Sequence, residues 1–321
     1  MRYKVMISAP YMQPVVERFR PFFRERDIEL FVPRVNERLE EAELLGLISD
    51  IDGVICGDDR FTEKVFRKAK SLKVIAKWGT GIDSIDCAAA ARRGVKVYNT
   101  PDAFTHPVAD SVLGYILSFA RRIPWTTEEM KAGKWQKEPC VALRECTLGI
   151  IGVGNVGRAV ARRAAAFGMT ILGNDIVSVP RSVLKETGMK VKSLNDLLKA
   201  ADFVTLHTDL NPTSFHLIGS KELALMKPVA RIINTARGPI IEEKALIRSL
   251  KRKEIAGAAL DVFEDEPLPK TSPLRRMNNC LLAPHNANSS PGAWEFVHEN
   301  SIRNLLQGLG IKGGNVRKVG K

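Results

Sequence analysis

The segment Leu148-Gly149-Ile150-Ile151-Gly152-Val153-Gly154-Asn155-Val156-Gly157 leaves the chain little choice of fold. An apolar run ends in G-x-G-x-x-G, and a helical pattern, Arg158 to Phe167, follows it. Gly152 permits the tight turn, Gly154 lets a pyrophosphate approach the backbone, and Gly157 lets helix and strand pack closely. The helix N-terminus then presents free N–H groups and a positive dipole end to an anion. Taken alone, such a turn can be purely structural. Here a second strand, Thr170 to Asn174, leads into Asp175, eighteen residues after Gly157. That is close to the roughly 20 expected for an acid that binds a ribose. Together these features predict a dinucleotide site. An acid at that place repels a 2′-phosphate, so NAD is expected rather than NADP.

Around this turn the chain alternates short apolar runs with helical patterns, which predicts βαβ units and parallel sheets. Strands are expected at Tyr3 to Ala9, Ile28 to Val32, Gly53 to Cys56, Val74 to Ala76 and Val95 to Tyr98. Helical patterns between them include Val15 to Arg26, Arg38 to Leu47 and Thr62 to Ala69. A second series has strands at Leu148 to Gly152, Thr170 to Asn174, Phe203 to Leu206, Arg231 to Asn234, Ala256 to Asp261 and Leu281 to Ala283. Two long helical patterns, Thr105 to Arg121 and Gly292 to Leu309, fit inside neither series and are expected to be crossovers. The expected fold class is α/β, with two Rossmann/flavodoxin-like parallel-sheet domains separated by a cleft that holds the chemistry. Residues 1–104 plus 288–321 form a discontinuous domain in this reading, and residues 105–287 the nucleotide-binding one.

Composition narrows the class. No apolar run reaches the roughly 18 residues of a membrane span. The basic N-terminus, Met1 to Lys4, leads into a first strand too short for a signal peptide, so a cytoplasmic protein is expected. Five cysteines, with no Cys-x-x-Cys pair, predict neither a disulfide framework nor a metal site, and buried reduced thiols are expected. The net charge of +13 reads as a dispersed surface that attracts anionic ligands rather than as a nucleic-acid site. Its clusters are short, and Lys251-Arg252-Lys253 closes a helical pattern where cations suit the dipole.

Four further segments complete the pattern: Lys77-Trp78-Gly79-Thr80-Gly81-Ile82-Asp83, Ile233-Asn234-Thr235-Ala236-Arg237-Gly238, Asp261-Val262-Phe263-Glu264-Asp265-Glu266-Pro267 and Ala283-Pro284-His285. With the glycine turn between them, the chain resembles the D-isomer-specific 2-hydroxyacid dehydrogenase family, in particular its phosphoglycerate dehydrogenase branch without the regulatory extension. The resemblance implies a catalytic trio of Arg237, Glu266 and His285. Histidine titrates near neutrality and suits proton transfer to or from a 2-hydroxyl. A carboxylate beside it fixes the tautomer, and arginine offers rigid donors to a carboxylate and a 2-oxo group. The resemblance also implies that backbone amides of Gly79-Thr80-Gly81 hold the substrate carboxylate, with Lys77 and Trp78 beside them. Thr80, Asn155, Val156, His207, Thr208, Thr235, Ala236 and Asp261 join Gly152, Gly154, Gly157 and Asp175 on the cofactor side. Asp261 is expected to contact the nicotinamide amide. A homodimer is implied, with the Thr105 crossover and Trp125 to Trp135 at its interface.

These residues point to NAD-dependent interconversion of a small D-2-hydroxy acid and its 2-oxo acid. Phosphohydroxypyruvate, hydroxypyruvate and glyoxylate remain open as substrates. A different class, an NAD-sensing corepressor-like scaffold that binds protein partners, is the alternative. The chain departs from the resemblance in places. Asn286-Ala287-Asn288 brings two amides close to His285, and Trp78 is large, an apolar wall for a short substituent. Asp58 and Asp59 set two negative charges against Lys77 and Arg60, which gives a substrate phosphate no advantage. Of the other histidines, His106 and His298 are expected at the surface or an interface, and His216 in a loop.

Overall fold

The computed structural model describes residues 2–312 and Val316. The basic tail at 313–315 and 317–321 lies outside the described residues. The chain forms two compact units. One runs through Phe104 and resumes at Ser290; the other is Thr105–Ser289.

The first unit holds β1 (Tyr3–Ile7), α1 (Arg20–Arg24), β2 (Ile28–Phe31), α2 (Glu41–Leu47), β3 (Gly53–Cys56), α3 (Glu63–Lys68), β4 (Val74–Lys77), α4 (Cys87–Arg92) and β5 (Lys96–Tyr98). Its five strands pair in parallel in the order β2-β1-β3-β4-β5. Successive residues of each strand go to opposite faces. Val5 and Ile7 enter one apolar cluster and Met6 the other; Val74 and Ala76 are divided from Ile75 in the same way. Both faces are covered, which is why these strands read as continuous apolar runs. The expected helix from Val15 to Arg26 is broken into a 3-10 turn, Gln13–Phe19, and the short α1. Pro14 and Pro21 open the two pieces, and a proline in the interior of one continuous helix would remove a hydrogen bond and clash with the preceding turn.

The second unit holds α5 (Thr105–Ala120), α6 (Ile123–Lys131), β6 (Thr147–Ile151), α7 (Asn155–Ala166), β7 (Thr170–Asn174), α8 (Arg181–Thr187), β8 (Lys190–Val191), α9 (Leu194–Ala200), β9 (Phe203–Leu206), α10 (Ser220–Leu225), β10 (Arg231–Asn234), α11 (Glu243–Arg252), β11 (Gly257–Leu260) and β12 (Cys280–Leu282). Its seven parallel strands run β12-β11-β10-β9-β6-β7-β8. The sequence predicts six. The seventh, β8, is a two-residue edge strand exposed at both positions, so it carries no apolar run to read. The order reverses between β6 and β9, and that switch point is where open α/β sheets bind ligands. The chain then returns to the first unit through α12 (Pro291–Leu309), which packs on β3 and β4.

Among the described residues no helix is long and apolar enough to cross a membrane. All five cysteines are free. Only Cys56 and Cys146 are buried. Cys87 is exposed, so the expectation of buried thiols holds for part of the set.

Candidate active site

The parallel register of the second sheet sets three loops side by side. Asn234 lies opposite Leu260, and Leu260 opposite Leu282. Arg237, Glu266 and His285 follow those three strand ends. His285 Nδ1 lies 2.9 Å from Glu266 Oε2, and the other carboxylate oxygen accepts from the Phe263 amide at 2.9 Å. The two side chains keep 23% and 19% exposure, enough for a ligand to reach them. Arg237 is half-buried and opens a short 3-10 turn, Gly238–Ile240. Asn234 fixes that turn: its Nδ2 donates to the Arg237 carbonyl at 2.8 Å, and its Oδ1 accepts from the Ala236 amide at 3.1 Å. A Cβ on Gly238 would lie 1.9 Å from the Phe263 backbone, so only glycine lets the Arg237 turn close on the loop that carries Glu266. Asn234 and Gly238 belong to the segment singled out in the sequence, where neither is given a role of its own.

Asp261 is buried and holds the loop that carries His285. Its backbone carbonyl accepts from the His285 amide at 2.8 Å. Its two carboxylate oxygens accept from the amides of Asn286 at 2.7 Å and Ala287 at 2.9 Å. Burial pushes its carboxyl up, and those two amides oppose the shift. Three successive N–H groups thus converge on one residue, and His285 is held at a φ of 51°, where non-glycine residues are uncommon.

At the switch point, Gly152 takes a φ of +88°, and a Cβ there would meet the His207 carbonyl and the Thr208 amide at under 3 Å. Gly154 begins α7 with open space where its side chain would be. Asn155 and Val156 begin that helix, whose first N–H groups have no partner within it. Asp175 Oδ2 accepts from the Val153 amide at 2.6 Å, which sets the acid against the glycine turn. Arg158, which the sequence did not single out, donates to the Val153 carbonyl at 2.9 Å. Thr208 and Thr235 each carry a buried hydroxyl with no hydrogen-bond partner among the described residues. An open glycine, a helix N-terminus and the unsatisfied Thr208 hydroxyl at the switch point, with the Thr235 hydroxyl after the next strand, β10, fit a dinucleotide. His207 pairs with Thr205 Oγ1 at 3.0 Å, and burial lowers it to about 3, so it is neutral near pH 7.

In the first unit, the Gly79-Thr80-Gly81 turn is tied down through its oxygens. Thr100 N donates to the Gly79 carbonyl at 2.8 Å, Asn99 Nδ2 to the Thr80 carbonyl at 2.6 Å, and Thr80 Oγ1 to the Thr100 carbonyl at 3.0 Å. Among the described residues no acceptor takes the N–H groups of Gly79, Thr80 or Gly81. Lys77 is buried beside this turn and pairs with Asp58 at 3.0 Å. Asp59 corrects the charge balance read from sequence. It is buried, accepts from Ser8 Oγ and from the Leu39 amide at 2.7 Å, and is pushed up to about 6 by burial. Asp58 alone of the acidic pair faces Lys77. Trp78 is 4% exposed and lies in an aromatic cluster with Tyr11, Phe104 and Trp294. His298, expected at the surface or an interface, is buried inside the first unit, 3% exposed against Trp78.

Residues 113–287, more than half of the chain, match the family model described as D-isomer specific 2-hydroxyacid dehydrogenase, NAD binding domain. The chain belongs to the D-isomer specific 2-hydroxyacid dehydrogenase family. It is 44% identical to a D-3-phosphoglycerate dehydrogenase of Methanocaldococcus jannaschii over 277 residues, 84% of this chain and 52% of that protein, so it spans about half the length of that relative. It is 37% identical to a glyoxylate reductase of Thermococcus gammatolerans over 316 residues, 95% of this chain and 92% of the relative. Among solved structures, a D-lactate dehydrogenase from Aquifex aeolicus, complexed with NAD and lactic acid, matches with a TM-score of 0.82 at 26% identity, covering 94% of this chain and 93% of that one. The glycine turn, Asp175, Arg237, Glu266 and His285 all fall within the residues that match that family's NAD binding domain.

Proposed function

We propose that the protein reduces a small 2-oxo acid to the D-2-hydroxy acid, or runs the reverse oxidation, with His285 as the proton-transfer group. When bound, NAD supplies the hydride acceptor or donor. The observation that carries this reading is the 2.9 Å contact between His285 Nδ1 and Glu266. A carboxylate on Nδ1 leaves Nε2 to give or take the proton of the 2-hydroxyl, and it stabilises the imidazolium. Arg237 holds the substrate carboxylate and polarises the 2-oxo group. The unpaired amides of Gly79, Thr80 and Gly81 form an anion trap of the kind that successive N–H groups make. Asp175 at the glycine turn supports NAD over NADP. A carboxylate–histidine pair at the ends of β11 and β12 suits proton transfer, which favours the enzymatic reading over an NAD-sensing scaffold.

Within the class, hydroxypyruvate or glyoxylate is the substrate this reading favours over phosphohydroxypyruvate. Lys77 is already paired with Asp58 at 3.0 Å, so its charge is not offered in full to a second anion; Asp59 is turned inward, and Arg60 is the cation of that loop against which the preference is tested. We place the protein in the cytoplasm as a homodimer. Five free thiols support a reducing compartment. Ile123, Met130, Val141 and Trp135, the last 85% exposed, support an apolar contact face along α6 and the segment after it. Turnover of NADH with glyoxylate, hydroxypyruvate, pyruvate and phosphohydroxypyruvate tests the reading. No turnover with any of them refutes the enzymatic function, and phosphohydroxypyruvate winning by more than tenfold refutes the substrate.

A further inference from the structure

The helix α12 belongs to the first unit and reaches the Gly79-Thr80-Gly81 turn with three polar side chains. His298 Nδ1 accepts from Trp78 Nε1 at 2.9 Å, immediately before Gly79. Asn300 Nδ2 donates to Thr100 Oγ1 at 3.0 Å, and Asn304 Nδ2 to the Asn99 carbonyl at 3.0 Å. Asn99 and Thr100 in turn hold the carbonyls of Gly79 and Thr80 and the hydroxyl of Thr80. The turn is therefore gripped at its entry by His298 and along its outer edge by Asn300 and Asn304, while its amides are left without acceptors. An indole N–H only donates, so Nδ1 of His298 carries no proton and the ring is neutral. Burial holds it there, lowering it to about 4, with Glu295 pulling it up and Arg18 pushing it further down.

We infer that His298, acting through Trp78, is a positioning residue for the amides that bind the substrate carboxylate, with Asn300 and Asn304 holding the far side of the same turn. The inference rests on the reading of that turn as the carboxylate site. A buried neutral histidine is an expensive way to fill space: an apolar side chain would pack there without an acceptor that must be satisfied. Its use is directional, because the single hydrogen bond fixes the rotation of Trp78 and so the direction in which the next three N–H groups leave the backbone. Losing one neutral hydrogen bond of this kind corresponds to roughly a fivefold change in an equilibrium.

The test compares His298→Leu, His298→Asn and Trp78→Phe in the full chain. Asparagine keeps an acceptor close to the place of Nδ1; leucine does not; phenylalanine removes the donor. His298→Leu and Trp78→Phe should raise KM for the 2-oxo acid about fivefold or more, with kcat within about twofold and NADH affinity unchanged, and His298→Asn should restore most of the loss. Lowered melting temperature with unchanged KM in both disrupting variants means a packing role and overturns the inference. Failure of His298→Asn to rescue KM overturns it as well. Gly81→Pro, which removes one amide of the turn, separates the two levels. If it raises KM while the His298 and Trp78 variants do not, the turn binds the carboxylate and His298 does not position it. If it leaves KM unchanged, the reading of the turn fails and the inference falls with it.

Discussion

Asp261→Asn keeps the shape of the side chain and exchanges one acceptor oxygen for a donor. Asp261 accepts from the His285 amide through its backbone and from the Asn286 and Ala287 amides through its carboxylate, at 2.7 and 2.9 Å. Whichever way the new amide group turns, its NH₂ faces one of those N–H groups. One charge-assisted hydrogen bond of about 1.5–3 kcal/mol is lost, and a backbone N–H is left unpaired. His285 already sits at a φ of 51°, a conformation that persists only while its surroundings enforce it. The turn will therefore relax away from the productive position, and restoring it for each turnover costs about the same energy. At 1.36 kcal/mol per factor of ten, kcat should fall roughly ten- to hundredfold. The assay is steady-state NADH oxidation with one 2-oxo acid, paired with a fluorescence titration of NADH. Because the carboxylate is spent on the His285 turn, NADH affinity should stay within about twofold. Unchanged kcat with NADH binding weakened more than tenfold would refute this reasoning and return the side chain to the nicotinamide amide.

His285→Ala should lower kcat by roughly 10²–10⁴-fold while NADH titrates normally; a smaller loss removes His285 from proton transfer. Asp175 should make kcat/KM for NADH exceed that for NADPH, and Asp175→Ala should narrow the gap; parity in the unaltered protein refutes the role given to the acid. Stability should fall on acidification. His207 at about 3 and His298 at about 4 lie below the ordinary 6.5, so the stability they contribute is present above pH 6.5 and is lost as pH falls toward those values. The loss is on the order of 2 kcal/mol each at pH 5, and Asp59, raised to about 6, offsets part of it between pH 6 and 4. Urea midpoints at pH 7.5 and 5 check this; an equal or higher midpoint at pH 5 refutes it.

The candidate trio that the family resemblance implies falls at neighbouring strand ends because a parallel sheet ties sequence to place. Arg237, Glu266 and His285 each follow a short apolar run, and once β10, β11 and β12 pair in register, their loops emerge as neighbours. The glycine turn was legible for a similar reason. Its spacing is demanded by one local geometry, and Gly152 shows the close backbone approach that excludes a side chain. Strand positions came through almost intact because strands buried on both faces leave an unbroken apolar record. The edge strand β8, and the split at Pro14 and Pro21, did not: one has no burial to record, and the other turns on two residues inside a good helical pattern.

What escaped the sequence was the partner of each polar side chain. Asp58 and Asp59 are adjacent and identical in type, yet one pairs with Lys77 at 3.0 Å and the other is buried on Ser8 and the Leu39 amide. Alternation along the chain sends neighbours in opposite directions, but which direction is inward depends on elements far away in sequence. His298 shows the same limit more sharply. Its acceptor role depends on Trp78, 220 positions earlier, and nothing within α12 foretells it. A histidine amid apolar residues on a long helix reads equally as surface, ligand or core. Only the arrival of a donor-only indole fixes its protonation state, and with it whether the residue can hold a loop in place.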